Sequence, residues 1–150
     1  MGPNYLVILS LSLFLSGWLL ELGPRNRSVV PTSCEKVDEY GSPSFQNEML
    51  RLDEYAKRVK NESGAVAIVV IHPTGRQSVQ KAQARASRIM GYLVNRRGVN
   101  PDHIAAVTMD ERRPEGETQL FICPFFPPNN LRQMYKGKVI VGTDIVKQAR

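Results

Sequence analysis

The feature that most constrains the fold is an unbroken apolar run, AVAIVVI at Ala65–Ile71, which lies between Gly64 and Pro73. Seven residues are too few for a buried helix, and five of them are β-branched. A strand without polar alternation must be covered on both faces. The chain therefore needs a central strand with further elements packed above and below it.

Two amphipathic helices are predicted, one on each side of this strand in the sequence. In the first, apolar residues recur at spacings of four, three, four and three, at Phe45, Met49, Leu52, Ala56 and Val59. In the second, the spacings are three, four, three and four, at Val79, Ala82, Ala86, Ile89 and Leu93. Such spacings place the apolar side chains of each helix on one face, and that face must be buried.

Two later segments have the composition of strands. They are Ile104–Met109 and Thr118–Cys123, and the polar loop between them allows an antiparallel connection. With a first strand ahead of the first helix, the element order is βαβαββ. We therefore predict an α/β sandwich, a mixed sheet of about four strands with two helices on one face.

The ends of the chain differ from its middle. Tyr5–Leu20 is apolar and uncharged over sixteen positions, a length between that of a signal-peptide core and that of a full membrane span. Removal and retention as an anchor therefore both stay open. The predicted organisation is a signal peptide or membrane anchor at 1–22, a linker with the first strand at 23–44, an α/β domain at 45–123 and a C-terminal extension at 124–150.

The C-terminal extension contains two short β-branched runs on either side of Gly142-Thr143. This pattern favours either a small edge hairpin or an extended tail that becomes ordered against a partner. The sequence leaves both alternatives open.

Cys34 and Cys123 are the two cysteines of the chain. If the protein is exported, an oxidising compartment favours a disulfide between them, and the location would be the periplasm or the cell surface. A lipid-modified Cys34 is the competing interpretation. A metal or redox site is not expected, because the sequence has no CxxC motif and both histidines lie elsewhere.

The sequence lacks a Gly-rich phosphate loop, an HExxH motif and a nucleophile elbow, so we expect neither an enzyme nor a cofactor. Lys81, Arg85 and Arg88 are spaced four and three on the second helix. They are candidate ligands for a carboxylate or phosphate, and a solvated basic face is the alternative. His72 ends the central strand, where open sheets often bind ligands, although a lone histidine at a strand end is more often structural.

The formal net charge of +6 favours anionic partners such as lipid head groups, envelope polymers or an acidic protein surface. Nucleic acid is not expected, because the paired arginines lack interleaved aromatic residues and the chain carries an export signal.

Between about Leu50 and Cys123 the chain contains the run LDEYAKRVK, a hydrophobic strand ending in His72, and the run ARASRIMGYLVNRRGVNPDHI. This part of the chain resembles the C-terminal domain of OmpA-like envelope proteins. The specific part of the resemblance is Arg85-Ala86 with the hydrophobic stripe and Gly-Val turn that follow. The whole chain is also similar to small exported bacterial proteins of this type.

The resemblance implies an OmpA-like fold and suggests a ligand. In that family the arginine matched by Arg85, together with an aspartate just after the strand histidine, holds the diaminopimelate of peptidoglycan. Here Pro73, Thr74 and Gly75 follow His72, so the acidic partner is missing. We therefore expect little specific affinity for peptidoglycan.

The sequence as a whole favours a non-catalytic, extracytoplasmic cell-envelope domain with a structural or envelope-associating role. The alternative is an accessory subunit of a membrane protein complex, anchored through Tyr5–Leu20. The expected partner is accordingly a cell-envelope polymer or a membrane protein.

Overall fold

The computed structural model describes residues 34–75, 78–124 and 138–148. In chain order the elements are β1 (Glu35–Tyr40), α1 (Phe45–Asn61), β2 (Val66–His72), α2 (Val79–Gly91), β3 (Ile104–Thr108), β4 (Glu117–Cys123), β5 (Lys138–Val141) and α3 (Gly142–Gln148). A π-helical turn at Tyr92–Arg96 and a 3-10 turn at Pro101–His103 connect α2 to β3. The predicted α/β class is confirmed, and the sheet has five strands rather than about four.

The five strands form one mixed sheet in the order β1-β4-β2-β3-β5. Strand β2 is parallel to β3 and antiparallel to β4, and the two edge strands are antiparallel to their neighbours. The polar loop after β3 does not join neighbouring strands, because β4 enters the sheet on the other side of β2. All seven residues of β2 pair with β4 and five of them also pair with β3, so the strand has a neighbour on each side.

The sheet separates two apolar layers. Ala67, Val69 and Ile71 belong to the layer that contains the buried faces of α1 and α2, whereas Val66, Ile68 and Val70 belong to the opposite layer. All seven residues of β2 are buried, as the uninterrupted apolar run predicts. The position of the central strand is therefore set by burial on both faces.

The buried face of α1 differs from the predicted one at its start. Phe45 is 62% exposed, whereas Glu48 and Tyr55 are buried together with Leu52 and Val59. The buried stripe is thus rotated towards Tyr55, whose hydroxyl donates a hydrogen bond of 2.7 Å to the carbonyl oxygen of Phe121. That bond allows a tyrosine to replace a purely apolar side chain at the helix–sheet interface.

The C-terminal extension adds an edge strand and a helix to the domain. Val141 of β5 is buried in the layer opposite the helices, and Ile145 of α3 is buried in the helix-covered layer. The hairpin, one of the two alternatives for this segment, is not formed, because the second β-branched run is helical. An Asp144 carboxylate oxygen accepts from the Val141 amide at 3.2 Å. Gly142 is needed at the start of α3, since a Cβ there would lie 2.4 Å from the carbonyl oxygen of Pro101.

The predicted disulfide is confirmed. Cys34 and Cys123 are bonded across the ends of β1 and β4, with their Cα atoms 4.2 Å apart and 89 positions between them in sequence. Among the described residues, no helix is long and apolar enough to cross a membrane. The predicted signal or anchor at Tyr5–Leu20 lies outside the described residues.

Candidate functional site

Arg85 lies between the two long helices rather than on a solvated face. It belongs to α2, and its side chain is only 10% exposed. Its Nε and Nη2 atoms donate to Oε1 of Glu48 at 3.0 and 2.7 Å, and Nη2 also donates to the carbonyl oxygen of Gly41 at 3.0 Å. The guanidinium carbon lies 5.7 Å from the centre of the Tyr40 ring. The arginine thus contacts α1 and the end of β1 together.

Glu48 is the carboxylate that this arginine holds. Its side chain is 3% exposed, and its second oxygen accepts from Nη2 of Arg88 at 3.0 Å. The residue lies in the first turn of α1, which Ser44 caps by accepting from the Asn47 amide. An acidic side chain is favourable there because the helix dipole is positive at its N-terminus. We call Glu48, Arg85 and Arg88 the carboxylate clamp.

The two arginines of the clamp differ in their exposure. Arg88 is 53% exposed, so its contact with Glu48 is partly screened by solvent. The contact of Arg85 with Glu48 is shielded from solvent, and two nitrogen atoms of Arg85 donate to the same carboxylate oxygen. Arg85 and Arg88 therefore bind a carboxylate that the chain itself supplies.

Lys81 lies one helical turn before Arg85. Its side chain is exposed, and within the described part of the chain it forms no salt bridge. Its backbone amide donates to the side chain of Ser78, the N-cap residue of α2. Lys81 is thus near the clamp in sequence but is not part of it.

His72 lies on the other side of the sheet. It is 4% exposed and is the residue after Ile71, which faces the helices. Side chains alternate along a strand, so His72 points to the opposite face and the structure does not bring it together with Arg85. Among the residues that the structure describes, its Nδ1 atom has no hydrogen-bond partner.

The environment of His72 opposes its protonation. Burial lowers the pKa of its imidazole, and the nearby charge of Arg113 lowers it further. A hydrogen bond to the backbone of Glu111 and the charges of Glu117 and Glu111 act in the opposite direction but are smaller than the effect of burial. The neutral imidazole is therefore favoured at neutral pH.

A row of hydroxyl groups crosses the sheet beneath the helices. Tyr40 of β1 pairs with Thr118 of β4, which pairs with Ile71 of β2, which pairs with Thr108 of β3. Cross-strand partners share a face of the sheet, so the three hydroxyl residues lie in the helix-covered layer. All three are buried, and within the described ranges their hydroxyl oxygens have no hydrogen-bond partner. Burial also raises the pKa of Tyr40, so its phenol stays neutral.

Glu48 and Tyr40 are the residues of this region that the sequence analysis missed. A signal for Glu48 does exist, since Glu48, Leu52, Tyr55 and Val59 are spaced four, three and four. That register places an acidic residue on the buried face of α1, and a buried carboxylate needs a cationic partner. Nothing in the spacing names Arg85 as that partner.

In residues 34–75, 78–124 and 138–148, no group of three or more His, Cys, Asp or Glu side chains is placed to hold a metal ion. Comparisons with protein families, curated proteins and solved structures found no match for the chain. Its function must therefore be argued from the chemistry of its own residues.

Proposed function

We propose that the chain is a non-catalytic, extracytoplasmic domain of the cell envelope, OmpA-like in plan, in which the ligand-binding arginine has become structural. The observation that carries this proposal is the carboxylate clamp: Arg85 is held by the buried carboxylate of Glu48. In OmpA-like domains the matching arginine holds a carboxylate of the ligand. The role of the domain is then structural or associative rather than specific recognition of peptidoglycan.

The energetics of the clamp support this interpretation. An external carboxylate could reach Arg85 only by displacing Glu48, whose side chain is 3% exposed. Separating a buried ion pair costs about 3–5 kcal/mol, and the lower figure already weakens ligand binding about a hundredfold. The loop after His72 supplies no acid for a ligand ammonium group at positions 73–75. Binding of a ligand carboxylate at Arg85 and binding of a ligand ammonium group after His72 are thus both disfavoured.

The disulfide supports the location. Cys34–Cys123 is compatible with an oxidising, extracytoplasmic compartment, because structural disulfides are rare in the reducing cytosol. The bond links the start of β1 covalently to the end of β4, its neighbour at one edge of the sheet.

Ligand binding is tested by isothermal titration of the purified chain with a diaminopimelate-containing peptide at moderate ionic strength. We expect no saturable binding in the micromolar range. Micromolar binding that is lost in Arg85→Lys but kept in Arg88→Ala would contradict the proposal, because it would make Arg85 a ligand-binding residue. The lysine variant keeps the charge beside Glu48 but loses the planar two-nitrogen contact.

Location is tested by fractionation of the source cells, followed by intact-mass measurement without reductant. We expect an envelope fraction in which both thiols are oxidised. A soluble cytosolic protein with two free thiols would overturn the proposal. A mass that includes Tyr5–Leu20 would identify a membrane-anchored form and would favour the accessory-subunit alternative.

A further inference from the structure

Positive charge is concentrated on one segment of the chain. Between Ser63 and Pro101 the sequence contains six Lys and Arg residues and no Asp or Glu. Helix α2 carries three of these cations, whereas α1 mixes both signs of charge along its length. Positive charge is therefore unevenly distributed over the domain, and α2 forms its basic side.

The outer face of α2 combines long cations with small side chains. Ala82, Ala86, Ile89 and Met90 are buried against the sheet. On the opposite side Gln80, Lys81, Ala84, Ser87 and Arg88 are exposed. We call these five residues the α2 face. It carries two cations, one amide and no carboxylate, and Ala84 and Ser87 add little bulk between them.

Little negative charge opposes this face. Glu48 is the one acidic side chain within salt-bridge distance of α2 in the described part of the chain, and both arginines share it. Lys138, at the start of β5, adds a cation beside the helix, because its Nζ lies 3.1 Å from Oε1 of Gln83. Lys81, Lys138 and one net charge from the clamp therefore remain available to an anionic surface.

We propose that the α2 face, extended by Lys138, docks on the anionic phospholipid head groups of a membrane. Charge complementarity favours an anionic lipid surface, because the α2 face carries cations and no carboxylate. Each Lys or Arg held near an anionic bilayer strengthens binding about fivefold. The inference rests on the proposed function, because it names the partner of an envelope-associating domain.

The test is co-sedimentation of the full chain with two kinds of vesicle, phosphatidylcholine alone and phosphatidylcholine with roughly 30% phosphatidylglycerol. Tyr5–Leu20 is uncharged, so any contribution it makes is common to all variants. The measured quantity is therefore the ratio of binding to anionic and neutral vesicles. We expect a ratio well above one at low salt and a lower ratio at high salt, because exposed charges are screened.

The decisive variant is Lys81→Glu/Lys138→Glu, which should lower this ratio at least tenfold. It should fold, since position 81 is the third residue of α2 after the Ser78 cap, where glutamate is favourable. The matched control is Lys57→Glu/Lys60→Glu, which changes the net charge equally on the exposed surface of α1. We expect a control ratio within about twofold of the wild type.

Equal losses in both double variants would overturn the proposal, because they would reflect net charge alone. An anionic-to-neutral ratio near one would overturn it as well. If the protein binds a soluble polyanion but shows no preference for anionic vesicles, the partner of the α2 face is an envelope polymer and the lipid proposal is overturned. None of these results bears on cell fractionation, so failure here is distinguishable from failure of the proposed function.

Discussion

Arg85→Ala is expected to lower the free energy of unfolding by about 3 kcal/mol, because it leaves the Glu48 carboxylate buried with a single partner. The estimate lies at the lower end of the 3–5 kcal/mol typical of a broken buried pair, since Arg88 still donates to the second oxygen of Glu48. The carbonyl oxygen of Gly41 also loses its donor.

Arg88→Ala is the matched comparison. This variant also removes an arginine that contacts Glu48, but Arg88 is 53% exposed and solvent screens its contact with the carboxylate. We expect a loss of less than about 1 kcal/mol. The double variant Glu48→Leu/Arg85→Met should be less destabilised than Arg85→Ala, because replacing both members of a buried pair by apolar residues is often close to neutral.

Urea unfolding followed by circular dichroism, with the disulfide intact, measures all of these variants. The slopes against urea should be equal, so that the midpoints report stability. If Arg85→Ala and Arg88→Ala prove equally stable, or if the double variant is the least stable of all, the clamp does not hold α1 to α2.

Three further variants probe the core and the sheet. Cys34→Ser/Cys123→Ser should lower stability by about 2–4 kcal/mol in non-reducing urea unfolding, and alkylation without reductant should label neither wild-type cysteine. Burial holds the pKa of His72 below its ordinary 6.5, so the unfolded chain takes up a proton that the folded chain excludes. Stability should therefore fall as the pH drops below about 6.5, and His72→Gln should reduce this fall in a pH series of urea midpoints. Thr118→Val should raise the melting temperature, with a gain in unfolding free energy of about 1 kcal/mol, because it removes a buried hydroxyl without a partner; a loss would show that the hydroxyl is hydrogen-bonded.

Most of the local structure could be predicted from the sequence. Uninterrupted apolar character at 65–71 identified the central strand, and the three- and four-residue spacings located both long helices. These patterns are readable because burial on one or two faces imposes a period on neighbouring residues. Periodicity misplaced the edge of the buried α1 face at Phe45, where the tyrosine hydroxyl bond to Phe121 rotates the stripe.

The order of the strands and the contacts between residues far apart in sequence could be established only from the tertiary structure. Insertion of β4 between β1 and β2 depends on contacts between residues far apart in sequence, and no local pattern encodes it. The same holds for the C-terminal run, which is helical in the folded chain, with Gly142 against Pro101 and the Asp144 carboxylate accepting from the Val141 amide.

The candidate site divides in the same way. The sequence alone determined that Lys81, Arg85 and Arg88 share one side of a helix, because helical spacing is a local property. Only the folded chain decided that Arg85 and Arg88 bind Glu48, that Lys81 stays exposed and that His72 faces away from all three. The physical reason is that exposure and charge pairing depend on which elements pack together. Helical spacing can place Glu48 on the buried face of α1, but no window along the sequence pairs it with Arg85, 37 residues away.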